Sequence, residues 1–294
     1  FAMQMLIDAK PQAFSDLVRI AGLAHGTDVW LGNAETLIKE GKATIATAIC
    51  TRDDIMVYLI NQGLDPAMAF SIMENVRKGN VAKGKCKQWP EWEKAMTEAG
   101  VPDWYIWSCN KIQYMFPKAH AAAYVMMAWR IAYYKVNYPL AYYCAYFSIR
   151  ADGLNYEKMC QGPEVLKTYL EDYKKRADSL TKKEEDELRE MRLAEEMYKR
   201  GFAFIPIDLF SCEAHKCRMI EGKIMPRLDC IDGLGGSTAD SVYNACKDGA
   251  FLSKQDFQER TGANQTVMET LIRLEILKGL PDTNQLSVFD LMNG

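Results

Sequence analysis

Apolar residues recur at helical spacing through the first half of the chain. Ala69, Met73 and Val76 share one face behind Asp65-Pro66, a pair that supplies an N-cap and a first-turn proline, and Gly79 stands where helices commonly stop. A second helix is predicted to open at Pro102-Asp103 and to carry Trp104, Ile106, Trp107 and Ile112. It should close at Phe116-Pro117, because the residue before a proline resists the α region. A third begins near Lys118 and runs through Tyr124, Met127, Ile131 and Tyr134 until Pro139 ends or restarts it. The most apolar stretch, 119–147, is broken by His120, Arg130 and Lys135. It falls short of the roughly 20 apolar residues of a membrane span, so it reads as buried helices and no membrane partner is expected.

The pattern changes at Pro163. Residues 163–200 are dense in charge, and Leu188, Met191, Ala194 and Met197 leave only a thin apolar stripe. This predicts a long solvated helix or helical hairpin linking two bodies. A metal cluster at 184–187 is the alternative reading of its acidic run. After Gly201, Ala203–Leu209 reads as a short strand pushed to an edge by Pro206. Residues 218–225 read as a hairpin turning at Glu221-Gly222, and small helices follow from Ser237.

The 294 residues leave room for about two domains of about 150 residues. An aromatic content of 11% excludes disorder as the dominant state. A net charge of -3 means that any nucleic acid would be met by local basic patches rather than by bulk charge. The nine cysteines are scattered, with no Cys-x-x-Cys, which suits a reducing cytosol. Cys212 and Cys217 flank His215 at a spacing poor for zinc and read as small buried side chains. No signal peptide opens the chain, and its start at Phe1 rather than Met leads us to expect further sequence upstream.

The clearest local motif runs from Leu228 to Val242. Its apolar, glycine and alanine positions follow the order of a helix–hairpin–helix. Gly233, Gly235 and Gly236 permit a tight turn, and with Ser237 and Thr238 they offer backbone N–H groups at a helix start to a DNA phosphate, without reading sequence. The plainer alternative is a glycine-rich turn before a helix. Asp232 and Asp240 are unhelpful beside phosphate.

A second constellation joins Lys111, Tyr114, Phe116, Lys118, His120 and Tyr124. Lys118 and His120 fall in the first turn after Pro117, a favourable place for phosphates, and the aromatic rings either stack on a base or pack a helix corner. Arg77 and Lys78, followed by Lys83, Lys85 and Lys87, form either a phosphate-binding loop or a solvated one. The tail peptide Gln285, Leu286, Val288 and Phe289 has the form of a docking peptide, with Leu286 and Phe289 as apolar anchors; an amphipathic stub is the alternative. Asp-x-Asp, a common two-metal arrangement of polymerases, is missing, as are a Walker loop and a Gly-x-Ser-x-Gly elbow.

Taken together these residues carry a resemblance. Phe14–Ala34, Arg52–Met56, Ile72–Gly79 and above all Tyr114–Tyr124 resemble the fingers region of the PolC-type α subunit of bacterial DNA polymerase III, in order along the chain. The resemblance implies a mainly α fold: a helical fingers domain (1–155), a charged helical connection (156–201), then a small α+β domain with a helix–hairpin–helix that holds duplex DNA (202–281), and a tail (282–294) that binds the sliding clamp. It implies a DNA-directed DNA polymerase (nucleotidyltransferase) of the bacterial cytoplasm, associated with the nucleoid. Its catalytic aspartates and Mg²⁺ would belong to an upstream palm domain of the same polypeptide, with no cofactor held here and no activity of this piece alone. The dNTP would then meet Arg77, Lys78, Lys111, Tyr114, Phe116, Lys118, His120, Tyr124 and His25, with Arg52 and Arg130 in weaker roles. The family's loop after Gly79 differs here, reading Asn80-Val81-Ala82-Lys83-Gly84, and Ala21 and Ala24 replace usual hydroxyl residues. The competing class is a non-enzymatic DNA-binding and clamp-docking adaptor; a helical scaffold with solvated basic faces is blander still.

Overall fold

The computed structural model describes residues 2–284. The expected docking peptide, Gln285 to Phe289, lies outside them. The chain divides between Ile131 and Ala132 into two compact units. Each has its own core.

The first unit contains α1 (Ala2–Ala9), α2 (Phe14–His25), α3 (Glu35–Lys39), α4 (Arg52–Asn61), α5 (Pro66–Arg77), α6 (Trp89–Glu98), α7 (Asp103–Lys111) and the start of α8 (Lys118–Asn137). Local chemistry sets most of the helix starts. Asp65 accepts a hydrogen bond from Met68 N–H at 2.9 Å, ahead of Pro66. Thr51 and Asp54 form a capping box for α4. Helices α4 and α5 pack most extensively, burying Ile55 and Leu59 against a core that includes Ala69, Ile72, Met73 and Val76. Gly79 stops the chain after α5 with φ of 72°.

Helix α7 ends at Lys111, well before the expected stop at Pro117. Ile112 turns to φ −67° and ψ 122°, and the following residues run extended. Distant partners draw this segment away from helix. Gln113 N–H and Tyr114 N–H donate to Thr27 O, Thr27 N–H donates to Tyr114 O, and Met115 N–H donates to Arg77 O. Then α8 starts at Lys118 and seats Ala121 and Val125 beside Val18 of α2.

The second unit takes the rest of α8, then α9 (Pro139–Ile149), α10 (Tyr156–Met159), α11 (Pro163–Lys175) and α12 (Lys182–Lys199). Pro139 thus restarts the helix. The charged segment is a hairpin of α11 and α12, but it is not a solvated connection. Leu166, Tyr173, Met191, Ala194 and Met197 enter the same core as Tyr143 and Phe147. Even Glu187 is buried, because Lys158 and Tyr173 both bond its carboxylate. The expected strand at 203–209 shrinks to one parallel bridge, Phe204 to Ile224, and Pro206 has no N–H with which to extend it. The predicted hairpin forms as β1 (Arg218–Ile220) and β2 (Lys223–Met225), antiparallel, turning through Glu221 and Gly222 at φ of 48° and 78°. After a 3₁₀ turn at Leu228–Cys230 come α13 (Gly236–Lys247), α14 (Lys254–Thr261) and α15 (Gln265–Arg273). All nine cysteines are free thiols. Among the described residues no three His, Cys, Asp or Glu side chains group as a metal site would need, and in the acidic run of α12 Glu184 pairs with Arg176 while Glu185 and Asp186 pair with Lys182.

Candidate functional site

In the first unit the extended segment 112–117 brings remote basic stretches to one place. It is bonded to Thr27, just after α2, and to Arg77 at the end of α5. Arg52 N–H, at the start of α4, donates to Phe116 O at 3.2 Å. Asp53 accepts from Lys118 N–H at 2.6 Å and so caps α8. This close stitching needs glycine. A side chain on Gly79 would run into the Gln113 carbonyl, and one on Gly26 would meet Val29 and the Tyr114 carbonyl.

Glu74 organises the charge. Arg77 grips it with Nε–Oε1 at 2.6 Å and Nη2–Oε2 at 3.0 Å, a bidentate fork. Lys78 Nζ lies 3.0 Å from Oε2, and Arg52 Nη1 lies 3.8 Å from Oε1. Arg77 first, opposed by burial, and then Lys78 pull the carboxyl from its ordinary 4.5 down to about 2. Arg52 Nε also lies 3.9 Å from Asp53 Oδ2, so these three cations face two carboxylates. Lys118 Nζ stands 3.5 Å from Asp54.

Beside these charges lies an aromatic ladder. Phe116 stacks on His120 at 5.0 Å and 11° between planes, and His120 leans on Tyr124 at 4.6 Å. Tyr114 and His25 meet Phe116 edge-on at 5.3 and 6.1 Å. His25, Phe116, His120 and Tyr124 line, with Ala21 and Ala121, an open cleft of about 210 Å³. Its walls are largely the edges and faces of these rings. His25, Tyr114, Lys118, His120 and Tyr124 are all exposed. Lys111 is engaged differently, donating to Gly32 O at 3.1 Å with its ammonium 4.3 Å over Trp107. Arg130 is exposed and pairs with no carboxylate among the described residues. Asp53 and Glu74 escaped the sequence reading, since nothing local marks them as partners of residues at 118 and 52.

In the second unit the glycine-rich turn has the expected conformation. Gly233 sits at φ of 90°, and Gly235 caps α13, where space stays open around it. Thr238 N–H and Ala239 N–H already bond Gly235 O. Gly236 and Ser237 therefore offer the N–H groups without an intrahelical partner at this end. The first expected helix of the hairpin is only the 3₁₀ turn at Leu228–Cys230. The two unhelpful aspartates are occupied: Asp232 accepts from Asn155 Nδ2 at 2.9 Å, and Asp240 lies 2.9 Å from His215 Nε2.

Comparison with known proteins finds relatives of both regions. Residues 1–100 match the family model of the bacterial DNA polymerase III alpha subunit finger domain, and residues 201–286 match a helix–hairpin–helix motif. Over 98% of its length the chain is 48% identical to the DNA polymerase III PolC-type of Clostridium perfringens and 48% identical to that of Bacillus subtilis. It is 46% identical to that of Lactococcus lactis over the same share. The chain spans about one fifth of the length of these relatives, 20%, 20% and 18% respectively. With finger-domain and helix–hairpin–helix matches in order inside one near-complete alignment, the chain corresponds to the part of a PolC-type DNA polymerase III that carries these two regions.

Proposed function

We propose that this chain supplies the nucleotide-binding and duplex-holding surfaces of a replicative DNA-directed DNA polymerase. The reading rests chiefly on the stitched segment 112–118, whose backbone bonds tie Arg52 to Phe116 and Arg77 to Met115, so that Arg52, Arg77, Lys78 and Lys118 lie close along the chain fold to the segment that carries Phe116 of the aromatic cleft. In the complete enzyme a primer 3′-hydroxyl would attack the α-phosphate of the dNTP and displace pyrophosphate. Carboxylates of a palm domain outside these residues would hold the Mg²⁺ that supplies Lewis-acid stabilisation of charge there. This chain would contribute positive charge toward the β- and γ-phosphates from Arg77, Lys78 and Lys118, with the rings of His25, Tyr114, Phe116, His120 and Tyr124 as the wall for the nascent pair. Lys111 would join only if fingers closure moves it. Gly236 and Ser237, on the turn shaped by Gly233 and Gly235, would hold the duplex backbone, while the Thr238 N–H is already spent on Gly235 O; Gln285, Leu286, Val288 and Phe289 would dock on the sliding clamp. The setting is the bacterial cytoplasm at the nucleoid; no described helix is long and apolar enough to cross a membrane.

Replacing Lys118 or His120 by Ala in the full-length polymerase should raise the KM for dNTP about tenfold, or lower kcat, with DNA affinity little changed. Unaltered steady-state kinetics in both variants would remove the nucleotide assignment. They would then favour the reading as a DNA-binding and clamp-docking adaptor region.

A further inference from the structure

His215 precedes Gly233, the first glycine of the turn, by eighteen residues and belongs to no part of the motif. Its imidazole nevertheless lies against the start of α13, with Cε1 3.9 Å from where a side chain on Gly236 would begin. Both ring nitrogens face carboxylates. Nδ1 is 2.7 Å from Asp229 Oδ2 on the 3₁₀ turn, and Nε2 is 2.9 Å from Asp240 Oδ1 on α13. The ring therefore ties the two arms that flank the turn.

We propose that His215, as an imidazolium, is the positioning residue of the helix–hairpin–helix: it pins the two arms and neutralises Asp240, so that a DNA backbone phosphate can approach the N–H groups of Gly236 and Ser237. The inference rests on the duplex-holding role proposed above.

The charge count carries the argument. Asp229 has a second cation, Arg227, whose Nη1 lies 2.7 Å from Oδ1 while its Nη2 donates to Ala151 O at 2.8 Å. Asp240 has only His215 as a cationic partner among the described residues. Two carboxylates thus face two cations, and the balance depends on the imidazole being charged. A neutral imidazole donates from one nitrogen, whereas the imidazolium donates from both and satisfies both carboxylates. Asp229 foremost holds the His215 pKa above its ordinary 6.5; desolvation opposes it, and Asp240 adds to the rise. Asp240 sits one turn into α13 with its side chain 56% exposed, so without the imidazolium its charge would act on any phosphate at Gly236.

The test is fluorescence anisotropy of the 294-residue chain with a duplex DNA oligonucleotide at pH 6 and pH 9, for wild type, His215→Gln and His215→Gln with Asp240→Asn. Wild type should bind more tightly at pH 6 than at pH 9. His215→Gln should bind about threefold more weakly than wild type at pH 6 and lose most of the pH dependence. Adding Asp240→Asn should restore most of the affinity, a rescue that a purely structural tether would not give. Circular dichroism melts keep misfolding separate from charge, and Asp240→Asn in the wild-type background serves as a second variant if His215→Gln is unstable; it should bind at least as tightly as wild type at pH 9. Wild-type binding matched by His215→Gln at both pH values, or no rescue, overturns the role of His215 alone. No salt-dependent binding by wild type overturns the duplex-holding reading and this inference with it.

Discussion

Glu74 is the point on which Arg52, Arg77 and Lys78 converge, and its titration reports whether that cluster is intact. Its folded pKa of about 2 lies below the ordinary 4.5. The carboxylate therefore contributes stability that is fully present above about pH 4.5 and is lost as pH falls through 2. Glu74→Gln should cost about 1–2 kcal/mol at neutral pH, since the side chain is mostly shielded and its bonds are charge-assisted. Thermal melts of both proteins should differ most above pH 5 and converge between pH 4.5 and pH 2. A difference that stays constant down to pH 2 would mean that the cations do not depend on this carboxylate. The cationic residues themselves were readable from the sequence as a basic run at 77–78. Their anchor was not, because a glutamate three residues before an arginine on a helix is ordinarily a weak surface pair.

At the level of elements, the segment 112–117 shows where local rules stop. Asp65-Pro66 and Gly79 fix α5 by contacts within a few residues, and they were legible for that reason. The stop of α7 at Lys111 depends on bonds to Thr27 and Arg77, which are remote in sequence and leave no periodic trace. The hairpin of α11 and α12 failed in the opposite sense. Its thin stripe was read correctly, but Glu187 and Glu190 looked solvated and are buried. The carboxylate of Glu187 is held by Lys158, 29 positions away. Gly79 offers a direct test of the stitched segment. It needs both a positive φ and room for the Gln113 carbonyl, whereas Gly84 at φ of 65° has open space around it. Gly84→Ala should cost about 1 kcal/mol from backbone strain alone, and Gly79→Ala about 2–3 kcal/mol because Gln113 must also move. Denaturant unfolding of the two variants measures the difference. Equal costs would mean that the close approach to Gln113 contributes nothing.

Across the whole molecule, chemistry is divided between units that the texture of the sequence blurred. The contact division at 131/132 falls inside the continuous helix α8, so no linker composition marks it, and the sequence reading placed a boundary at 155 instead. The proposed roles follow the units. The aromatic cleft and its cations belong to the first, the glycine-rich turn and His215 to the second. Neither region supplies an Asp-x-Asp pair, and the chain spans only 20% of a typical relative such as that of Bacillus subtilis. The expectation is a separation of binding from catalysis. The purified chain should bind primed duplex DNA with an affinity that falls steeply with salt, as phosphate contacts release counterions. It should extend no primer in the presence of all four dNTPs and Mg²⁺, because the metal-binding carboxylates that activate the 3′-hydroxyl would lie elsewhere in the polypeptide. Primer extension followed on a denaturing gel decides it. Incorporation of even one templated nucleotide would place catalytic carboxylates within these 294 residues and overturn the assignment of chemistry to a separate palm.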